Sequence, residues 1–138
     1  MILLDTNVIS DIMRPRPAPE VIAWLNTLPH LSVWTSSITV FEIEAGLGIL
    51  PVGRRRSEME EAFARLLSTV LQNRIAPFDF AAAHEAARLG SARRGDGRTG
   101  DRGDTMIAGI AISQRATLAT RNIRHFDDLP TPVVNPWA

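Results

Sequence analysis

The stretch MILLDTNVIS (residues 1–10) decides the fold, because it joins a buried strand to a helix. Its apolar run, residues 2–4, is short enough for a strand covered on both faces. Asp5, Thr6 and Asn7 are residue types that favour the start of a helix. Pro15 and Pro17 then predict where that helix ends. The chain therefore opens with a strand–helix unit, from which parallel sheets are built.

The same alternation of strand and helix patterns continues along the chain. Further strands are predicted at 31–37, 74–78, 117–120 and 131–134. Helices are predicted at 19–28, 38–50, 54–73, 80–90, where Gly90 ends an Ala-rich run, and 104–116. This order predicts an α/β fold with a central parallel sheet of about five short strands flanked by helices.

Composition limits both the size and the chemistry of the protein. The 138 residues, 45% of them hydrophobic, predict one domain spanning residues 1–138. Basic and acidic residues balance at 15 each, so bulk charge gives no sign of nucleic-acid binding. The absence of cysteine excludes disulfides and thiolate metal sites. With no signal-like leader and no apolar run of spanning length, we expect a cytoplasmic protein without membrane association.

Four polar residues follow strands or open helices at positions predicted to share one edge of the sheet. They are Asp5, Glu42, Asp104 and Asn122. In open α/β sheets the carboxyl ends of the strands line the ligand crevice. Several carboxylates in one cleft repel each other unless a cation neutralises them. Oxygen ligands of this kind favour hard ions, so we expect Mg²⁺ or Mn²⁺.

Helix capping is the competing interpretation for each carboxylate. Asp5 is well placed to cap the helix after the first strand. Glu42 lies three residues after Thr39, the spacing of a capping box. Asp104 would be favoured at the positive end of its helix, although Asp101 competes for that position. The sequence alone leaves both interpretations open.

Four stretches resemble, in order, the motifs of PIN-domain ribonucleases of the branch that contains the VapC and FitB toxins. They are MILLDTNVIS, SSITVFEIEAG, GDTMIAGIA and TLATRNIRHF, and the closing VVNPW resembles the FitB-like group. The resemblance implies a PIN-like fold, Mg²⁺- or Mn²⁺-dependent endoribonuclease activity, a homodimer and a small cognate antitoxin. It implies catalytic and metal-holding roles for Asp5, Glu42 and Asp104. Asn122 stands at a fourth metal position where the family often has Asp.

Supporting residues are also predicted around this site. Thr6, Asn7 and Thr120 are candidates to fix the geometry of the carboxylates, although ordinary capping or turn chemistry is the favoured explanation for them. The Gly-rich segment 93–103 is long for a connection and carries candidate contacts to the RNA backbone, Arg93, Arg94, Arg98 and Arg102. His30, His84 and His125 show no zinc-binding spacing, so we expect them on the surface or in the core.

Two further functions and one structural alternative stay open. The chain is alternatively a module that, bound to its antitoxin, mainly recognises promoter DNA, with nuclease activity weakened by Asn122. A phosphotransfer domain with Asp5 as nucleophile is disfavoured, because a second Asp two residues later is missing. The apolar face around Met59, Phe63 and Leu66 belongs either to the core or to a dimer contact.

Overall fold

The computed structural model describes residues 1–98 and 100–138. Within them, five short strands form one parallel sheet in the order β3-β2-β1-β4-β5: β1 Ile2–Leu4, β2 Val33–Ser36, β3 Ile75–Ala76, β4 Thr117–Ala119 and β5 Val133–Val134. The helices are α1 Thr6–Ile12, α2 Pro19–Asn26, α3 Ser37–Ile49, α4 Arg54–Arg65, α5 Phe80–Gly95 and α6 Arg102–Gln114. The predicted α/β fold with a parallel sheet is confirmed. None of the described helices combines the length and apolar character needed to cross a membrane.

The central strand β1 is covered on both faces. Leu3 lies in a hydrophobic cluster with residues of α5 and α6, whereas Leu4 lies in a second cluster with residues of α1, α3 and α4. Successive side chains of a strand point to opposite faces, so the continuous apolar run of β1 is what a sheet between two helical layers requires.

The apolar face predicted around Met59 packs inward. Phe63 and Leu66 are buried in the cluster that contains Leu4, and Met59 packs against that cluster. The helix is shorter than predicted, because α4 ends at Arg65 and the chain continues as a π-helical turn, Leu66–Val70. The core interpretation of this face is therefore confirmed.

Gly90 does not end a helix, which corrects the prediction from the sequence. Helix α5 continues to Gly95, where its last turn carries Arg93 and Arg94. It packs closely on α6: a Cβ at Gly109 would overlap the carbonyl oxygen of Ala82 and lie 2.7 Å from the Ala86 Cβ. This tertiary contact outweighs the modest cost of a glycine inside a helix.

The register of the sheet sets which residues meet at its carboxyl edge. Leu4 in β1 pairs with Ala119 in β4, and the Asp5 amide donates to the Ala119 carbonyl at 2.9 Å. Asp5 and Thr120 therefore leave adjacent strands side by side. Strand β2 ends at the same edge and leads directly into α3, which carries Glu42.

Candidate active site

A cleft of about 540 Å³ lies at the carboxyl edge of the sheet and brings together the four residues predicted to form a site. Its lining includes Asp5, Glu42, Asp104 and Asn122. The same cleft is lined by residues the sequence did not assign to it: Asp11, Arg14, Asp101, Arg121, His125 and Trp137. The predicted convergence of residues from four parts of the chain is present in the fold.

Asp5 is buried at the floor of the cleft, with 3% of its surface exposed. Its Oδ1 accepts a hydrogen bond from the Thr6 amide at 2.8 Å, so it does cap α1. Its Oδ2 accepts one from the Thr120 hydroxyl at 2.7 Å. Burial raises the pKa of Asp5 to about 6 against the opposing effect of these two hydrogen bonds, and the charges of Asp104 and Glu42 add to the rise. A cation in the cleft would relieve this cost.

Glu42 is not part of a capping box, which corrects the alternative left open by the sequence. Ser36 caps α3 by accepting the Thr39 amide at 3.0 Å. Glu42 instead accepts a 2.6 Å hydrogen bond from the Thr6 hydroxyl through Oε1. Its Oε2 lies so close to Gly103 that a Cβ there would be 2.5 Å away. Glu42 therefore connects the start of α1 with the first turn of α6.

Asp101, and not Asp104, caps α6. The Asp101 Oδ1 accepts a hydrogen bond from the Asp104 amide at 3.1 Å. The Asp104 carboxylate, free of a capping role, has its Oδ2 3.0 Å from Nδ1 of His125. His125 is thus a site residue that its spacing from the other histidines did not reveal. Its position three residues after Asn122 was the available signal, since a single turn brings it back to the same edge.

Asn122 lines the cleft without capping the turn that follows it. The 3-10 turn Ile123–His125 receives no side-chain hydrogen bond from Asn122. The Asn122 backbone amide donates to the Thr120 hydroxyl oxygen at 3.1 Å. The side chain is exposed and directed to the site by the backbone that also holds Thr120. A capping role for this residue has no support in the described contacts.

The three predicted supporting residues contact the carboxylates or each other. Thr6 donates to Glu42, Thr120 donates to Asp5, and the Asn7 side-chain amide donates to the Thr120 oxygen at 3.3 Å. Hydrogen bonds of this kind fix the orientation of carboxylates that bind a metal. Their geometry is that of positioning groups, and the functional roles remain predictions.

Arg93 is a buried structural residue, which corrects its prediction as an RNA contact. Only 4% of its surface is exposed. Its guanidinium donates two 2.8 Å hydrogen bonds to the Asp128 carboxylate and one of 2.7 Å to the His125 carbonyl. The ion pair raises the pKa of Arg93 and lowers that of Asp128. These contacts fasten the end of α5 to the turn that carries His125.

The other predicted RNA contacts lie beside the cleft and not in it. Arg98 forms ion pairs with Asp127 at 3.0 Å and Asp128 at 3.4 Å. Arg94 and Arg102 are exposed on a neighbouring surface. The arginines that do line the cleft are Arg14 and Arg121, which lie outside the Gly-rich segment and were not predicted.

The donors in the cleft fit a hard divalent cation by their chemistry. Five carboxylates line it, namely Asp5, Asp11, Glu42, Asp101 and Asp104, and oxygen ligands are what such ions prefer. Among the described residues, no three acidic or histidine groups form a ready coordination shell. Glu42 and Asp104 are turned to Thr6 and His125 respectively. The elevated pKa of the buried Asp5 is the observation that favours an added positive charge.

Comparison with known proteins identifies one family and several similar proteins. Residues 2–131 match the family described as PIN domain. Toxin FitB of Neisseria gonorrhoeae is 36% identical over 137 residues, with 99% of each chain covered. VapC ribonuclease Y4jK of Sinorhizobium fredii is 32% identical, with 99% of this chain and 98% of that protein covered. A solved structure of FitAB bound to an IR36 DNA fragment superposes with a TM-score of 0.89 at 36% identity, covering 100% of this chain and 96% of that one.

Proposed function

The chain belongs to the PIN domain family, and on this premise we propose that it is a metal-dependent endoribonuclease, the toxin of a toxin–antitoxin pair. The carrying observation is the convergence of Asp5, Glu42 and Asp104 in one cleft, with Asp5 buried and held by Thr120. The names of the relatives, a toxin and a ribonuclease, agree with this assignment.

Asp5, Glu42 and Asp104 would hold the cation, with Asn122 adding a neutral oxygen. When bound there, a Mg²⁺ or Mn²⁺ ion would supply positive charge for the phosphate in the transition state and would make the attacking water more acidic. Thr120 and Thr6 keep the oxygens of Asp5 and Glu42 oriented through their hydrogen bonds. His125 orients Asp104 in the same way. Asp5 or Asp104 would orient the attacking water and accept its proton.

The partners proposed for this chain are a small antitoxin and a second copy of itself. FitAB and VapBC are the complexes named for the solved structures of this fold. We assign the same organisation here, with the antitoxin blocking the cleft. A sedimentation experiment tests the homodimer, since a monomer at micromolar concentration would contradict it.

RNA cleavage by the purified chain tests the proposed activity. Wild-type protein should cut RNA with Mg²⁺ or Mn²⁺ and stop when a chelator is added. Asp5→Asn, Glu42→Gln and Asp104→Asn remove one charge each at nearly constant shape, and each should reduce cleavage to background. Glu44→Gln, an exposed charge two residues from Glu42, is the matched control and should cut like wild type.

The competing assignment, a module that mainly binds promoter DNA, predicts a different pattern. The purified chain with its antitoxin would bind DNA, whereas the chain alone would cleave RNA only weakly with either metal. An active wild-type enzyme that is silenced by Asp104→Asn rules out that assignment.

A further inference from the structure

Arg121 and Trp137 form a cation–π pair in the cleft that the proposed chemistry does not use. The guanidinium carbon of Arg121 lies over the Trp137 ring, 5.0 Å from its centroid. Both residues line the same cleft as Asp5, Glu42 and Asp104. Arg121 is exposed, whereas Trp137 is half-buried. The cleft therefore has a cationic and aromatic surface beside its acidic residues.

Backbone hydrogen bonds hold the two residues near the carboxyl edge of the sheet. Arg121 follows Thr120, the residue that donates to Asp5, and the Arg121 amide donates to the Asn7 side chain at 3.3 Å. The Trp137 amide donates to the Asn135 side chain at 2.9 Å. One side of the indole packs against the hydrophobic cluster that contains Leu4. The packed indole is therefore the support on which the exposed Arg121 guanidinium lies.

We propose that the exposed guanidinium of Arg121, with the Trp137 ring behind it, forms a stacking site for an unpaired nucleobase next to the phosphate that is cleaved. The proposal rests on the proposed ribonuclease function and assigns a base-binding subsite to two residues of this cleft. An arginine alone would suit a phosphate, but an indole has no charge to offer one. Aromatic rings and guanidinium planes are the groups on which splayed RNA bases stack. Bases of an A-form duplex are stacked on each other and do not reach such a surface.

Fluorescence of Trp137 in the presence of a chelator tests the proposal without any cleavage. The chain has three tryptophans, so Trp24→Phe with Trp34→Phe leaves Trp137 as the only indole. A short oligoadenylate should quench this fluorescence. An oligonucleotide of equal length made of abasic residues has the same phosphate charge and should leave it nearly unchanged. Equal quenching by both, or by neither, would overturn the stacking site.

Substitutions of Trp137 give the second, independent measurement in the otherwise unaltered protein. Trp137→Leu keeps an apolar contact with the core but removes the aromatic ring behind Arg121, so oligoadenylate binding should weaken about tenfold. Trp137→Phe keeps an aromatic face and should restore most of that affinity. Trp24→Phe, a half-buried indole on α2 that does not line the cleft, is the matched control. If Leu and Phe at position 137 bind alike, stacking is refuted.

The proposed activity and the stacking site fail in distinguishable ways. Base-dependent quenching without any metal-dependent cleavage would refute the ribonuclease and keep the nucleobase site. Cleavage with unaltered kcat and KM in Trp137→Leu would keep the ribonuclease and refute the site. A raised KM with an unchanged kcat is the result expected from a lost base contact.

Discussion

The Thr120 hydroxyl donates a 2.7 Å hydrogen bond to Oδ2 of Asp5, which joins two residues 115 positions apart in the chain. The bond follows from the sheet register, because Leu4 and Ala119 are paired and the next residue of each strand continues side by side. A contact set by the backbone is more rigid than one between two flexible side chains. This hydrogen bond therefore holds the Asp5 carboxylate in a defined position at the floor of the cleft.

Thr120→Val should raise the pKa of Asp5 above its value of about 6. The substitution keeps the shape of the side chain and removes the hydroxyl that stabilises the carboxylate. The pH at which metal binding is half-maximal should rise by the same amount, because the ion needs the ionised carboxylate. Thr120→Ser keeps the donor and serves as the control. NMR titration of the Asp5 carboxyl carbon measures the change, and equal pKa values in the two variants would contradict the prediction.

Asp5 should make the metal-free protein more stable at acidic pH than at neutral pH. Its pKa is about 6 in the folded protein and near 3.8 in an unfolded chain, so folding favours the protonated form. The contribution is fully present below the lower value and is lost as the pH rises through about 6. Its upper limit is about 3 kcal/mol, because a tenfold change in an ionisation equilibrium corresponds to about 1.4 kcal/mol.

Asp5→Asn measures this contribution, because the amide keeps the shape and cannot titrate. The difference in the free energy of unfolding between variant and wild type, in chelator, should grow in favour of the variant from pH 4 to pH 7. A difference that is constant with pH would show that the pKa of Asp5 is ordinary.

The sequence predicts the fold well because its signals are local. Apolar runs bounded by Asp5 and by Thr120 mark strand ends, and strand ends of parallel sheets meet at one edge. The predicted helix bounds that were wrong depend on tertiary contacts. Helix α5 passes through Gly90 since its alanines pack on α6, an arrangement that no local pattern encodes.

The sequence predicted the acidic residues of the candidate site but missed several of the residues around them. Spacing along the chain brought Asp5, Glu42 and Asp104 into consideration, but it did not show that Arg93 would be buried against Asp128. Both residues belong to charge-rich stretches that look solvated in sequence. His125 and Trp137 were missed for the same reason, since their roles depend on which side of a turn faces the cleft.

Gly103→Ala should disturb the site more than the fold. The new Cβ would lie 2.5 Å from the Glu42 Oε2 and 3.0 Å from the Asp101 Oδ1, and both are ends of side chains that can move. Displacing Glu42 should lower metal affinity about tenfold or more, as other losses of ligand orientation do. Isothermal titration with Mn²⁺ and a melting curve in chelator measure the two effects.

Gly109→Ala on the same helix is the matched contrast. Its Cβ would meet the backbone of α5 at Ala82 and Ala86, and these atoms cannot move without displacing the helix. It should cost about 1–3 kcal/mol of stability or more. If Gly103→Ala instead lost stability like Gly109→Ala and kept wild-type metal affinity, the close approach of Glu42 would have no part in the site.

Arg93→Met should destabilise the fold without removing a direct contact to RNA. The substitution removes the donor of the His125 carbonyl and the two 2.8 Å hydrogen bonds to Asp128, which keeps its longer, 3.4 Å ion pair with Arg98. Since Asp128 keeps about a quarter of its side chain exposed, we expect a loss of about 2–3 kcal/mol, below the range for fully buried pairs. Arg94→Met, an exposed neighbour on the same helix, should lie within about 0.5 kcal/mol of wild type. Urea unfolding compares them, and equal midpoints would contradict a structural role for Arg93.

Asn122→Asp adds an acidic group at the fourth position of the predicted metal site. Asn122 lines the cleft together with Asp5, Glu42 and Asp104, and its side chain makes no capping hydrogen bond to the turn that follows. An added negative charge there repels the other carboxylates when no ion is bound and attracts the ion when one is. Because the side chain is exposed, the repulsion should be about 1 kcal/mol and not the several expected of a buried pair.

Metal affinity and metal-free stability should therefore change in opposite directions in Asn122→Asp. Calorimetric titration with Mg²⁺ or Mn²⁺ should show tighter binding, while the melting temperature in chelator falls. Gln114→Glu adds the same charge at the far end of α6, where its residue is exposed, and should leave the binding isotherm unaltered. If Asn122→Asp and Gln114→Glu gave identical isotherms, position 122 would lie beyond the reach of the ion. The ion would then be held by the three acids at positions 5, 42 and 104, without a contribution from position 122.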